Sequence, residues 1–129
     1  MRRLLLLFSS MFVFMNATLV AQTVPTGFSL SNIGGSSWNN PVGAAFSKDG
    51  QRLFVWERRG RVYVCNRDGS GNYIKQTTPV LSIDEEVGNW RDHGLLGFAL
   101  DPNFANNGLI YVMYVVDRHH LLFFGTANY

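Results

Sequence analysis

Between residues 42 and 116 the chain alternates short apolar runs with clusters of turn-forming residues. The runs, rich in β-branched and aromatic side chains, fall at 42–46, 53–56, 62–65, 80–83, 95–100 and 109–116. The breaks between them include Lys48-Asp49-Gly50, Arg58-Arg59-Gly60, Arg67-Asp68-Gly69-Ser70-Gly71-Asn72, Asp101-Pro102-Asn103 and Asn106-Asn107-Gly108. No window longer than one turn has a helical period. Short strands separated by turn signals predict an all-β fold, either a sandwich, a barrel or a propeller. Asp49-Gly50 predicts a hairpin joining 42–47 to 51–56, and Arg59-Gly60 a second joining 53–57 to 61–65, since glycine supplies the positive φ such loops need. Together they make a three-stranded meander. A fourth strand is expected from 80–83 or from the chain before Gly34.

The face pattern chooses among the β architectures. In 110–115, Ile110, Val112 and Tyr114 point one way and Tyr111, Met113 and Val115 the other, so both faces are apolar. In 95–100, simple alternation puts Leu96, Phe98 and Leu100 on one face and Gly97 and Ala99 on the other. An outer sandwich strand alternates apolar with polar. Blades packed face to face around an axis bury both sides, which favours a propeller. A blade takes roughly 40–50 residues, so residues 22–129 amount to about two, and the chain is expected to be the N-terminal portion of an incomplete propeller.

The first residues stand apart. Arg2-Arg3 precede an apolar run to Val20, and Ala21 is followed by the polar, extended Gln22-Thr23-Val24-Pro25. This is the layout of a signal peptide over residues 1–21, with the domain at 22–129. Ser9, Ser10, Asn16 and Thr18 interrupt the run and no basic stop sequence follows, which argues against a membrane anchor. The product is expected to be exported, periplasmic or extracellular, with no membrane association after cleavage. The formal charge of +2 rests on Arg2 and Arg3, because without them nine basic side chains face nine acidic ones. Near-neutrality gives no support for nucleic-acid binding. Cys65 is the single cysteine, so no internal disulfide forms, and it reads as a small buried hydrophobe.

Few clusters carry chemistry. Glu57-Arg58-Arg59-Gly60-Arg61 reads first as a solvated hairpin tip with charge pairing to Glu57, and less readily as an anion site. Asp84-Glu85-Glu86, with Asn89, Arg91 and Asp92 following, offers oxygen ligands of the kind Ca²⁺ takes but lacks EF-hand spacing, so an exposed acidic loop is favoured. Asp101 is expected to cap a single helical turn with Pro102 at its first position, and Gly108 to restart the extended chain. His119 and His120, read as strand neighbours, would point to opposite faces and serve one metal poorly. The strongest candidate is Trp90-Arg91-Asp92-His93, which brings stacking, cationic, carboxylate and imidazole groups to the mouth of a channel if 95–100 is an innermost strand. A wet loop without a ligand is the competing reading.

The chain resembles the soluble glucose/sorbosone dehydrogenase family from about residue 28 to 114. The likeness is carried by Pro41-Val42-Gly43-Ala44-Ala45-Phe46, Asp49-Gly50-Gln51-Arg52-Leu53-Phe54-Val55 and Glu57-Arg58-Arg59-Gly60-Arg61-Val62. It is most specific in Gly94-Leu95-Leu96-Gly97-Phe98-Ala99, Asp101-Pro102-Asn103-Phe104, Asn107-Gly108 and Tyr111-Val112 with Tyr114. The resemblance implies a six-bladed β-propeller and an exported oxidoreductase that passes hydride from a sugar or related alcohol to pyrroloquinoline quinone (PQQ), with Ca²⁺ and an electron acceptor. In that family the position of Asp92 is often a glutamine facing the active site. The family's catalytic histidine, cofactor-contacting arginines and calcium ligands lie in later motifs with no match here, so this chain alone is expected to be inactive and no catalytic residue is assigned to it. The alternative is a non-catalytic propeller of the same architecture that binds carbohydrate or protein.

Overall fold

The computed structural model describes residues 24–35 and 37–129, so the expected leader over residues 1–21 lies outside the described residues. Contacts divide the chain into residues 1–30 and 31–129. In the first unit a turn closes with the Phe28 N–H donating to the Pro25 carbonyl at 3.1 Å.

The second unit is built on antiparallel sheets. Strands β1 (Pro41–Phe46), β2 (Arg52–Glu57), β3 (Arg61–Arg67) and β4 (Tyr73–Lys75) follow one another across the first sheet, with β5 (Leu81–Ser82) also on β3. Both predicted hairpins form, with Gly50 at φ 66° and Gly60 at φ 107°. Ser47 and Asp49 tighten the first turn, the Ser47 hydroxyl donating to the Asp49 carboxylate at 2.6 Å. The fourth strand arrives in two pieces. β4 pairs with Cys65–Arg67 and β5 with Arg61–Val62, so 73–82 runs along one edge of β3 with a break at Thr77-Thr78-Pro79. The expected strand at 80–83 therefore supplies only half of it, and the chain before Gly34 none. Proline has no N–H to give to a ladder, which accounts for part of the break.

The second sheet pairs β6 (Leu95–Leu100) with β7 (Ile110–Tyr114). Between them lies the one-turn helix α1 (Phe104–Asn107), closed by Gly108 in the left-handed conformation. The turn is where the sequence placed it but starts later: Asn103 is its N-cap, while Asp101 accepts from the Asn103 N–H, the Asn107 amide and the Tyr111 hydroxyl. After β7 comes α2 (Arg118–Phe123), capped by Asp117 through the His119 and His120 N–H groups. His119 and His120 thus sit on a helix, not the strand that pattern implied, and each stacks on aromatic neighbours, with Phe123 and Phe124 respectively among them.

One face of the first sheet packs on one face of the second. Phe54, Trp56, Val62, Val64 and Leu95 form the core, flanked by Phe98, Leu100, Val112 and Tyr114. Phe98 stacks on both Phe54 and Trp56, at 5.5 and 5.2 Å between ring centres. The packing contradicts simple alternation at the start of β6. A β-bulge lies between Leu95 and Gly97, so an extra residue, Leu96, is taken up and Leu95 turns inward beside Phe98 and Leu100. Leu95 is completely buried and Leu96 is exposed. The opposite face of β7 carries Tyr111 and Met113, exposed by 54% and 68%. On the far face of the first sheet, Leu53, Val55 and Cys65 form a second cluster under Ile33, Trp38 and Tyr73. Burial pushes the Cys65 thiol up in pKa, as expected of a small buried hydrophobe.

Two face-packed antiparallel sheets, each with its first strand beside that of the other, are the arrangement of neighbouring propeller blades. No helix among the described residues is long and apolar enough to cross a membrane.

Candidate functional site

The registers collect several connections at one end of the sheets. Pro41 pairs with Glu57, Arg61 with Ser82 and Leu95 with Tyr114. The β2–β3 turn, the loop 83–94 that leads into β6, and the segment after β7 therefore meet there. The joint is explicit in the backbone: the Arg58 carbonyl accepts from the Leu95 N–H at 2.8 Å, and the Gly60 carbonyl from the Ile83 N–H at 3.0 Å.

Residues 89–94 form a compact loop on this joint. The Trp90 carbonyl accepts the His93 backbone N–H at 3.0 Å and lies 3.1 Å from His93 Nδ1. A carbonyl can only accept, so this contact places the proton of a neutral His93 on Nδ1 and leaves the Nε2 lone pair free. The imidazole stacks on the Trp90 indole, 4.0 Å between centres and 28° between planes. Trp90 remains 53% exposed. Arg91 and Asp92 are exposed too, and among the described residues neither side chain is held by a hydrogen bond or ion pair. Arg91 adopts φ 50°, uncommon for a residue with a β-carbon. All four residues singled out from the sequence thus share one loop surface, with an aromatic pair at its centre.

The supporting charges are arranged differently from the sequence expectation. Glu57 does not pair with the basic cluster. It is 2% exposed and accepts the Asn39 N–H at 2.8 Å, because its place at the end of β2 turns it inward. Arg61 instead makes a two-point contact with Asp84 through Nε at 3.1 Å and Nη2 at 2.5 Å, and Arg59 approaches the same carboxylate at 3.6 Å. Burial pushes the Asp84 carboxyl up, but hydrogen bonds from Arg61 and Ser82 and the two arginine charges outweigh it and hold its pKa below the ordinary value. A depressed folded pKa contributes stability above the unfolded value of about 4, lost as pH falls through the folded pKa. Asp84→Asn should therefore lower stability at neutral pH and flatten the acid limb below about pH 4, as read from urea midpoints across that range.

Arg58 was also hidden within that cluster. Its Nε donates to Asn89 Oδ1 at 2.9 Å and its Nη1 to the Arg91 carbonyl at 2.8 Å. Nothing local marks this contact, which spans 31 to 33 residues of sequence.

Two of the three acidic side chains at 84–86 are committed to protein contacts. Asp84 is engaged by arginine, the Glu86 carboxylate accepts the Tyr114 hydroxyl at 2.8 Å, and no group of three or more His, Cys, Asp or Glu side chains among the described residues is placed to hold a metal. The loop offers an indole stacked on an imidazole, one carboxylate, one guanidinium and one imidazole lone pair.

Comparison with known proteins agrees with the fold. The glucose/sorbosone dehydrogenase family model matches residues 38–122. Hedgehog-interacting protein from Homo sapiens is 36% identical over 88 residues, covering 64% of this chain and 12% of that protein. HIPL2 protein from Arabidopsis thaliana is 29% identical over 98 residues, covering 73% of this chain and 14% of that protein. The chain therefore spans only a small part of the length of the curated relatives it matches.

Proposed function

Because the chain belongs to the glucose/sorbosone dehydrogenase family, we propose that it is the N-terminal part of an exported β-propeller that binds a sugar or related polyhydroxy compound at the end where Trp90, Arg91, Asp92 and His93 lie. The observation that carries this reading is the exposed Trp90 indole stacked on the half-buried His93 imidazole, in the loop that also carries the exposed Asp92 carboxylate. An aromatic face suits the C–H face of a sugar ring, and Asp92 and His93 Nε2 suit its hydroxyl donors. Within that reading, quinone-dependent oxidation of the bound sugar or alcohol follows from the family. PQQ, Ca²⁺ and the catalytic base would then be held by residues beyond those described. The name Hedgehog-interacting protein, borne by a relative, favours a second reading, in which the same propeller recognises a partner without redox chemistry.

The test uses the full-length protein supplied with PQQ and Ca²⁺. Dye reduction that requires both an aldose and PQQ supports oxidation. Sugar binding by calorimetry without dye reduction leaves recognition alone. Trp90→Ala should weaken that binding about three- to tenfold, the worth of one aromatic contact. If no sugar or polyol binds, or if Trp90→Ala leaves the affinity unchanged, the proposed site is wrong.

A further inference from the structure

We infer that Arg58 is the positioning residue of the recognition loop, setting the arrangement of Trp90, Arg91, Asp92 and His93 without itself meeting a ligand. The loop's recognition role rests on the function proposed above; the positioning does not. Three constraints on the loop pass through this one residue. Its Nε holds the Asn89 side chain, its Nη1 holds the Arg91 carbonyl, and its own carbonyl holds the Leu95 N–H. Positions 89, 91 and 95 span the segment that carries Trp90, Arg91, Asp92 and the half-buried His93. The middle bond acts on the peptide following Arg91, whose φ of 50° is a left-handed conformation that a residue with a β-carbon enters only against a steric cost. A charged donor on that carbonyl is the kind of contact that holds such a residue in place.

The anchor is itself fixed. Arg58 follows Glu57, which is buried at the end of β2 and tied to the Asn39 N–H, and it opens the tight turn closed by the Gly60 N–H on the Glu57 carbonyl at 3.0 Å. On the other side, Gly94 lets the two backbones touch, since a β-carbon there would lie 2.6 Å from the Arg58 carbonyl oxygen. The residue type matters as well as the charge. A guanidinium offers N–H groups in a rigid fork that reaches two acceptors at once, whereas a lysine ammonium is a single point on a flexible stem.

The test compares full-length wild type with Arg58→Lys and Asn89→Ala, two variants that weaken the clamp from opposite sides. Hydrogen exchange at the His93 and Leu95 amides should accelerate about tenfold or more in Arg58→Lys, with a smaller rise in Asn89→Ala, while the Val62 and Val64 amides keep their wild-type protection. The ring-current shift of the His93 imidazole protons, produced by stacking on Trp90, should shrink in the same order. A residue contributing only to global stability would not move that signal. Sugar affinity should fall in step with the loss of stacking. The inference is overturned if loop exchange and the His93 shift match wild type in both variants, or if loop and core amides accelerate together. A wild type that binds no sugar overturns the functional reading instead, and the exchange data still decide the role of Arg58.

Discussion

Gly94→Ala is expected to destabilise the protein by about 3 kcal/mol or more, combining backbone strain with a backbone clash. Gly94 has φ 148°, a conformation that L side chains rarely adopt. A β-carbon there would overlap Arg58 Cγ and sit 2.6 Å from the Arg58 carbonyl oxygen. Neither partner can withdraw cheaply. The Arg58 carbonyl is bonded to the Leu95 N–H, and the Gly94 carbonyl accepts the Val115 N–H at 3.1 Å, so the strand is pinned on both sides of the new methyl. Gly108→Ala is the control: it too has a positive φ, 66°, but nothing lies within 4 Å of the added carbon. Its cost should be limited to about 1 kcal/mol of conformational preference. Urea midpoints measure both, and equal losses for the two variants would mean that the contact between the β2–β3 turn and the start of β6 is looser than described.

Leu95→Ala should cost about 3 kcal/mol, within the usual range for removing a fully buried leucine. Leu96→Ala, one residue on, should cost less than about 1 kcal/mol. Leu95 lies between Phe54, Trp56, Val62 and Val64, where its loss leaves a cavity between the sheets. Leu96 is the residue taken up by the bulge and its side chain is exposed. Simple alternation from Phe98 and Leu100 predicts the reverse order, so the pair of measurements tests the bulge directly. Comparable losses at the two positions, or a larger one at Leu96, would restore the regular strand.

These two positions also mark where reading the chain succeeds and where it stops. Strands and tight turns follow from local chemistry, and the Asp49-Gly50 and Arg59-Gly60 hairpins form where side-chain type and glycine predict them. The family was legible for a related reason, since motifs such as Gly94-Leu95-Leu96-Gly97-Phe98-Ala99 combine a close backbone approach with core-facing residues in one short string. The bulge was not legible, because a single inserted residue changes every facing without changing composition. The split outer strand was half visible: 80–83 has the apolar signal, whereas Tyr73–Lys75 is too short and too polar to show one. Asp117 does carry a signal for α2, a carboxylate able to receive the first free N–H groups of a helix, but the apolar run before it masked the change of period. The loop residues Trp90 to His93 stand out by their chemical variety, and Trp90 and His93 stack within the loop. Their support from Arg58 and Asn89 was out of reach, since it is a contact between distant segments that no pattern within either one announces.

The broken outer strand has a consequence for how molecules of this kind can meet. A continuous edge of paired spacing invites another strand to add on and continue the sheet. Here the rim beyond β3 offers only Tyr73–Lys75 and Leu81–Ser82, separated by a step containing a proline that has no N–H to offer. An incoming strand finds register with one piece and loses it at the other. That rim is thereby a poor template for a further strand. A strand arriving at this side of the first sheet would have to pair with two short pieces in turn, so the sheet resists being extended there.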